Sequence, residues 1–155
     1  MRATVALQRL IAAGLPACDV RDDMGEARHV IGPMVQALDS NGLVGPQDVG
    51  RIIITGSHGG LLGGRAEAAV KVAVRAAIYN DAGIGIDRAG LSRLPALDAR
   101  GIAGAAVSCF SARIGDAMST WNDGWISAVN ATASAQGGRI GQSARDFVAA
   151  LLEHA

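Results

Sequence analysis

Ile52-Ile53-Ile54-Thr55-Gly56-Ser57-His58-Gly59-Gly60 is the stretch that sets the fold. The first four residues are β-branched and run without polar alternation. A strand buried on both faces of a parallel sheet reads this way. The glycines then stop it. Downstream, the small Ala/Val-rich residues 65–73 predict a helix packed closely on the sheet. Ala76-Ala77-Ile78-Tyr79 predicts a second strand, stopped by Asn80-Asp81 and Gly83. Leu91, Leu94 and Leu97 predict a crossover helix over residues 87–99, with Asp87 as its N-cap. Ile102 to Ser108 predicts a third strand.

Asp116 is placed to cap a long helix with Met118, Trp121, Trp125, Ile126, Val129 and Ala133 on one face, ended by Gly137-Gly138. A last helix over 142–153 is marked by Ala144, Phe147, Val148, Leu151 and Leu152. Upstream, residues 2–13 predict an amphipathic helix ended at Gly14. Val30, Ile31, Met34, Val35 and Leu38 predict another helix with Pro33 in its first turn, closed by Asn41-Gly42. Leu43-Val44 predicts a short strand. Strand alternating with helix implies right-handed parallel units. The expected fold is a small three-layer α/β domain with a three- or four-stranded, mainly parallel sheet flanked by helices, flavodoxin- or Rossmann-like in layout. It spans 1–155 as one domain, with a helical N-terminal segment over about residues 1–42.

Half of the 155 residues are hydrophobic and 18% are charged, which excludes a disordered chain. With 3% aromatic residues the core must come from Ala, Val, Ile and Leu. Formal net charge is zero, which argues against nucleic acid as a partner, since phosphate binding needs excess Lys and Arg. Gln8 and Arg9 interrupt the first apolar stretch, so neither a signal peptide nor a membrane span is expected. Cys18 and Cys109 are too few for a disulfide scaffold, and a cytoplasmic protein with reduced thiols is expected.

Ligands of open parallel sheets bind beyond the carboxyl ends of the strands. All three central strands deliver polar sequence there. Five glycines fall within residues 56–64, and the backbone of Gly56, Ser57, Gly59 and Gly60 is a candidate cradle for carboxylate or phosphate. The same glycines could instead relieve crowding where the chain meets the sheet. The loop has neither the G-x-G-x-x-G pattern nor a Gly-Lys-Ser/Thr close, so no nucleotide or other organic cofactor is expected.

His58 is the candidate acid–base group, because imidazole titrates near neutral pH. Asn80 and Asp81 follow the second strand, either as turn residues or as groups that bind and assist at a substrate. Ser111, Arg113 and Asp116 follow the third. There Arg113 is the expected anion ligand, and Asp116 is a catalytic candidate or simply a helix cap. Cys109 is a candidate nucleophile or a packed thiol. No metal is expected, since no two candidate ligands share i, i+4 spacing.

Val107-Ser108-Cys109-Phe110, with His58-Gly59 after an earlier strand, resembles the caspase-like cysteine peptidases in the order of its parts. It lacks their Gln-Ala-Cys-x-Gly signature, and an extra βα unit intervenes. The reading that follows is a cofactor-independent enzyme acting on a small anionic metabolite. It is an amide hydrolase if Cys109 is the nucleophile, and an isomerase or lyase if protons alone move. The alternative is a non-catalytic binding or regulatory subunit using the same edge. Trp121 and Trp125 on an Ala-rich helix further suggest a homo-oligomer.

Overall fold

The computed structural model describes residues 20–21 and 27–154. The helix expected over residues 2–13, with Gly14 and Cys18, lies outside these. Among the described residues one mixed sheet holds seven strands, whose spatial order follows the chain, β1-β2-β3-β4-β5-β6-β7. They are β1 (Val20–Arg21), β2 (Ala27–Gly32), β3 (Val35–Leu38), β4 (Ile52–His58), β5 (Ala76–Asn80), β6 (Ala103–Val107) and β7 (Ile126–Val129). β1 is a two-residue edge. The other six form a mostly parallel sheet, so the expected three or four strands undercount it. Strands β3 to β6 run parallel, while β2 and β7 flank them antiparallel.

Strict alternation divides the parallel strands between two cores. Ile52, Ile54, Ile78, Ala105 and Val107 face one side, where they meet α2 (Ala117–Asp123) and α4 (Ala144–Glu153) through Ala117, Trp121, Phe147 and Leu151. Ile53, Ala77 and Tyr79 face the other, against Val44, Val70 and Leu97 from the crossover connections. Each fully buried Ile contributes about 1.5–3 kcal/mol. The β3–β4, β4–β5 and β5–β6 connections all step in one direction and cover one face, so they share one hand. The order contains no reversal among its parallel strands, unlike the doubly wound sheet the sequence suggested.

Several expected helices are absent. Val30 to Leu38 forms the β2–β3 hairpin, with Pro33 and Met34 as its turn, so residues 27–38 of the expected helical segment are strand. Leu43 ends a single helical turn, Asn41–Leu43, with Val44 as its C-cap, and the two form no strand. Residues 65–73 hold only one tight turn, Ala66–Ala68. The crossover helix α1 is shortened to Arg93–Asp98. The long helix over 117–133 breaks into α2, β7 and α3 (Ala131–Ala135). Trp121 is therefore a core residue and Trp125 a half-exposed one, and the two share no helix face. Among the described residues no helix is long and apolar enough to cross a membrane.

The β5–α1 connection is strained. Six of residues 82–88 have positive φ, including the non-glycine residues Ala82 (51°), Ile84 (67°), Asp87 (54°) and Arg88 (57°). Asp87 is therefore not the N-cap expected of it. A left-handed L-residue costs about 1–2 kcal/mol, whereas glycine pays about 0.5–1 kcal/mol in unfolded-state entropy. Ala82 and Arg88 are exposed. The double variant Ala82→Gly/Arg88→Gly is expected to be more stable by about 1 kcal/mol. A rise in the urea midpoint at constant m-value would show it, and a fall would refute the strain.

Candidate functional site

β4 leaves its ladder before it ends. Ile54 pairs with Ile78 and His58 with Asn80, so the chain bulges around Gly56-Ser57. Gly56 cannot carry a side chain, because a Cβ there would lie 2.4 Å from the Asp116 amide nitrogen and 2.6 Å from the Gly115 carbonyl carbon. Gly56 instead receives the Gly115 N–H on its carbonyl at 2.8 Å. The Ser57 hydroxyl accepts the Asn41 N–H at 2.8 Å. Gly59 and Gly60 lie under the Gly90 and Ala89 carbonyls. The glycines therefore serve close chain crossing, the second of the two roles the sequence offered. His58 is exposed, and its Nδ1 accepts the Gly60 N–H at 3.1 Å. A ring so bonded carries its proton on Nε2.

Asn80 is fully buried and acts as a brace. Its Nδ2 donates to the Ala112 carbonyl, and its Oδ1 accepts the Ala82 N–H. Asp81, 4% exposed, ties three strand ends together. Its Oδ1 accepts the Gly83 and Cys109 N–H groups at 2.9 and 3.0 Å, and its Oδ2 accepts the Ser127 hydroxyl at 2.8 Å. Burial pushes this carboxyl up. The bonds from Gly83, Ser127 and Cys109 outweigh it and hold the group below the usual carboxylate value, so Asp81 is charged at neutral pH. Ser127 arrives there through a bulge: Ala106 pairs with Ala128 and Val107 with Ile126, leaving Ser127 as the extra residue.

Cys109 is half-buried, with Asp81 as its hydrogen-bond neighbour. β5 lies between its strand and that of His58, and two strand spacings are roughly 10 Å. The structure thus groups Cys109 with Asp81 and Ser127 and sets His58 apart, as the extra βα unit implied.

After Cys109 the chain crosses back over the strand ends. Ala112 sits on Asn80 and Gly115 on Gly56. Arg113, between them, is exposed, and its guanidinium makes no bond to another described residue. Ser111 donates to the Ser108 carbonyl and accepts the Trp125 N–H, a loop-fixing role. Asp116 caps α2 by accepting the Ser119 N–H at 3.0 Å.

Sequence reasoning passed over Ser127 and Arg93. Arg93 is 2% exposed, with its guanidinium on the carbonyls of His58, Ala68 and Ala69 and over the Tyr79 ring at 5.2 Å. Burial lowers its pKa, yet a guanidinium remains charged. It meets no carboxylate among the described residues. Carboxylates stand on both flanks of this edge, Asp39 and Asp116 beside Gly56 of β4 and Asp81 where β5, β6 and β7 meet. Among the described residues no group of three or more His, Cys, Asp or Glu could hold a metal ion. Comparison with known protein families, curated proteins and solved structures finds no match.

Proposed function

We propose that the protein takes a small carboxylate- or phosphate-bearing metabolite at the carboxyl edge of its parallel strands and moves a proton on it through Nε2 of His58, without an organic cofactor. The observation that carries this reading is His58 itself, an exposed imidazole directly behind a buried strand, with Nδ1 occupied by the Gly60 N–H. The exposed Arg113, whose guanidinium meets no carboxylate among the described residues, lies on the same side. The run of left-handed residues between Ala82 and Arg88 adjoins this edge, and such strain gathers at functional sites.

The geometry favours isomerase or lyase chemistry over a thiol hydrolase, because Cys109 is bonded to Asp81 while His58 lies across β5. One observation supports the second reading, a binding or regulatory subunit: no carboxylate among the described residues orients His58, and catalytic bases are commonly oriented by a third group.

Inorganic phosphate and hexanoate, titrated into the full chain and followed by amide NMR, test the anion site. Residues 58–60 and 113 are expected to shift, and Arg113→Gln to weaken binding about tenfold through loss of a charge-assisted contact. An unchanged affinity in this variant removes Arg113 from the site. Incubating 2-oxo acids with the protein in D2O then separates the two functional readings. Exchange of the C3–H beside the ketone that His58→Ala abolishes supports catalysis, whereas binding without exchange supports the subunit.

A further inference from the structure

Only five of the 155 residues are aromatic, and the two that stand in solvent stand together. Phe110 is 96% exposed and Trp125 56%. The Trp125 N–H donates to the Ser111 hydroxyl at 3.0 Å, and its carbonyl accepts the Ser108 N–H at 2.8 Å, so Trp125 clasps the loop that carries Phe110. Two more exposed apolar residues flank them. Ile140, 69% exposed, precedes Gly141, whose N–H meets the carbonyl of Ile126, the neighbour of Trp125, at 2.8 Å. Ile86, 86% exposed, belongs to the loop in which a Cβ on Gly83 would lie 3.9 Å from the Cys109 Sγ. Short backbone contacts thus bring the four to one corner of the molecule, where β6 and β7 meet the carboxyl edge.

We propose that this corner is the interface of a homodimer, covered by the same corner of a second copy of the chain. Area is the first argument. Phe110 and Trp125 present about 300 Å², and the two isoleucines bring the patch to roughly 500 Å². A standard interface takes about 800 Å² from each partner, of which about 60% is apolar, so the patch supplies that apolar share. Charge is the second. Asp87 and Arg88 follow Ile86, Arg139 precedes Ile140, and Asp123 stands two residues before Trp125. All four are exposed, and none makes a side-chain hydrogen bond or ion pair to another described residue. Two arginines and two aspartates form a self-complementary rim, because a twofold axis can set the cations of one copy against the anions of the other. The zero formal net charge adds no long-range repulsion between copies. An anionic membrane surface would instead bring lipid phosphates against both aspartates. The carboxyl end of β4, with His58, is two strands away from β6 and stays open to a ligand.

Sedimentation equilibrium of the full chain at concentrations up to about 200 µM tests the assignment. A monomer–dimer equilibrium in the micromolar range is expected. Phe110→Ser and Trp125→Ser should each weaken it about thirtyfold, the effect of losing one interface hot spot. Equal melting temperatures in dilute solution, where all the proteins are monomeric, show that folding is intact. Val49→Ser is the control, an exposed apolar residue ahead of β4 at the opposite end of the sheet, and should leave the equilibrium unchanged. A wild-type chain that stays monomeric throughout overturns the proposal. So does a dimer that Phe110→Ser leaves intact, since its contact then lies elsewhere. Co-sedimentation of a monomeric chain with phosphatidylserine vesicles, lost in Phe110→Ser, would also overturn it and give the corner to a membrane surface.

Discussion

Replacing Asp48 with Asn is expected to destabilise the protein by about 3 kcal/mol, the lower end for breaking a buried ion pair. Asp48 is fully buried and takes Arg28 through both oxygens, at 2.7 and 2.8 Å, plus the Gly45 N–H at 2.9 Å. Arg28 also donates to the Leu43 carbonyl, so the pair fastens the β2–β3 hairpin to the β3–β4 connection. Without the carboxylate a guanidinium is left largely out of water. The Arg28 side chain keeps 17% exposure, which places the loss at the lower end. Burial pushes the Asp48 carboxyl up, but Arg28 and the Gly45 N–H more than offset it and hold the group below its ordinary value. A depressed folded-state value adds stability above the unfolded pKa of about 3.9. That contribution is complete at neutral pH and is lost as pH falls through the folded value. Urea unfolding at pH 7 and pH 3 checks both statements. A loss under about 1 kcal/mol at pH 7, or an Asp48→Asn penalty no smaller at pH 3 than at pH 7, would contradict them.

The second large effect is expected at Gly90. A Cβ there would sit 2.1 Å from the Asp81 carbonyl oxygen and 3.1 Å from the Ile84 oxygen, both backbone atoms that no rotamer change can move aside. Gly90→Ala should therefore cost about 3 kcal/mol, the upper end of the overpacking range. It should also displace Asp81, weakening the link from β5 to Cys109 and Ser127. Gly32→Ala is the control, because nothing lies within 4 Å of its Cβ position, and its effect should stay within about 1 kcal/mol. Comparing the urea midpoints of the two variants decides the matter. Equal midpoints would mean that the 81–90 crossing is not held as tightly as its geometry implies.

The central strands are legible in sequence because burial on both faces leaves a β-branched, unalternated run, as in Ile52 to Thr55. The cap of α2 is legible for a local reason too, since Asp116 bonds to the amide three residues on. The misreadings have physical causes. Val30, Ile31, Met34, Val35 and Leu38 fit helical spacing, but Gly32-Pro33 was the stronger signal and turns the hairpin. Trp125, Ile126 and Val129 continue the spacing of α2. Asn122-Asp123-Gly124, however, is turn chemistry, and Gly124 closes against Val107 where a Cβ would meet its Cγ1 at 2.7 Å.

The candidate site was half legible. His58, Asp81, Cys109 and Arg113 stand at strand ends and were found by that rule. Ser127 reaches Asp81 only because one residue bulges from β7, which no periodicity announces. Arg93 was hidden among Leu91, Leu94 and Leu97, where a lone cation on an apolar face was the overlooked sign.

The central claim is that the carboxyl edge of β4 to β6 is a ligand site with His58 at work in it. Hexanoate titration followed by backbone amide and imidazole NMR tests it most directly. The account predicts a proton on His58 Nε2, and shifts concentrated at residues 58–60, 80–85 and 108–116. Shifts that instead map to the groove of about 440 Å³ along Leu91, Pro95 and Val129, with the His58 ring unmoved, would contradict it.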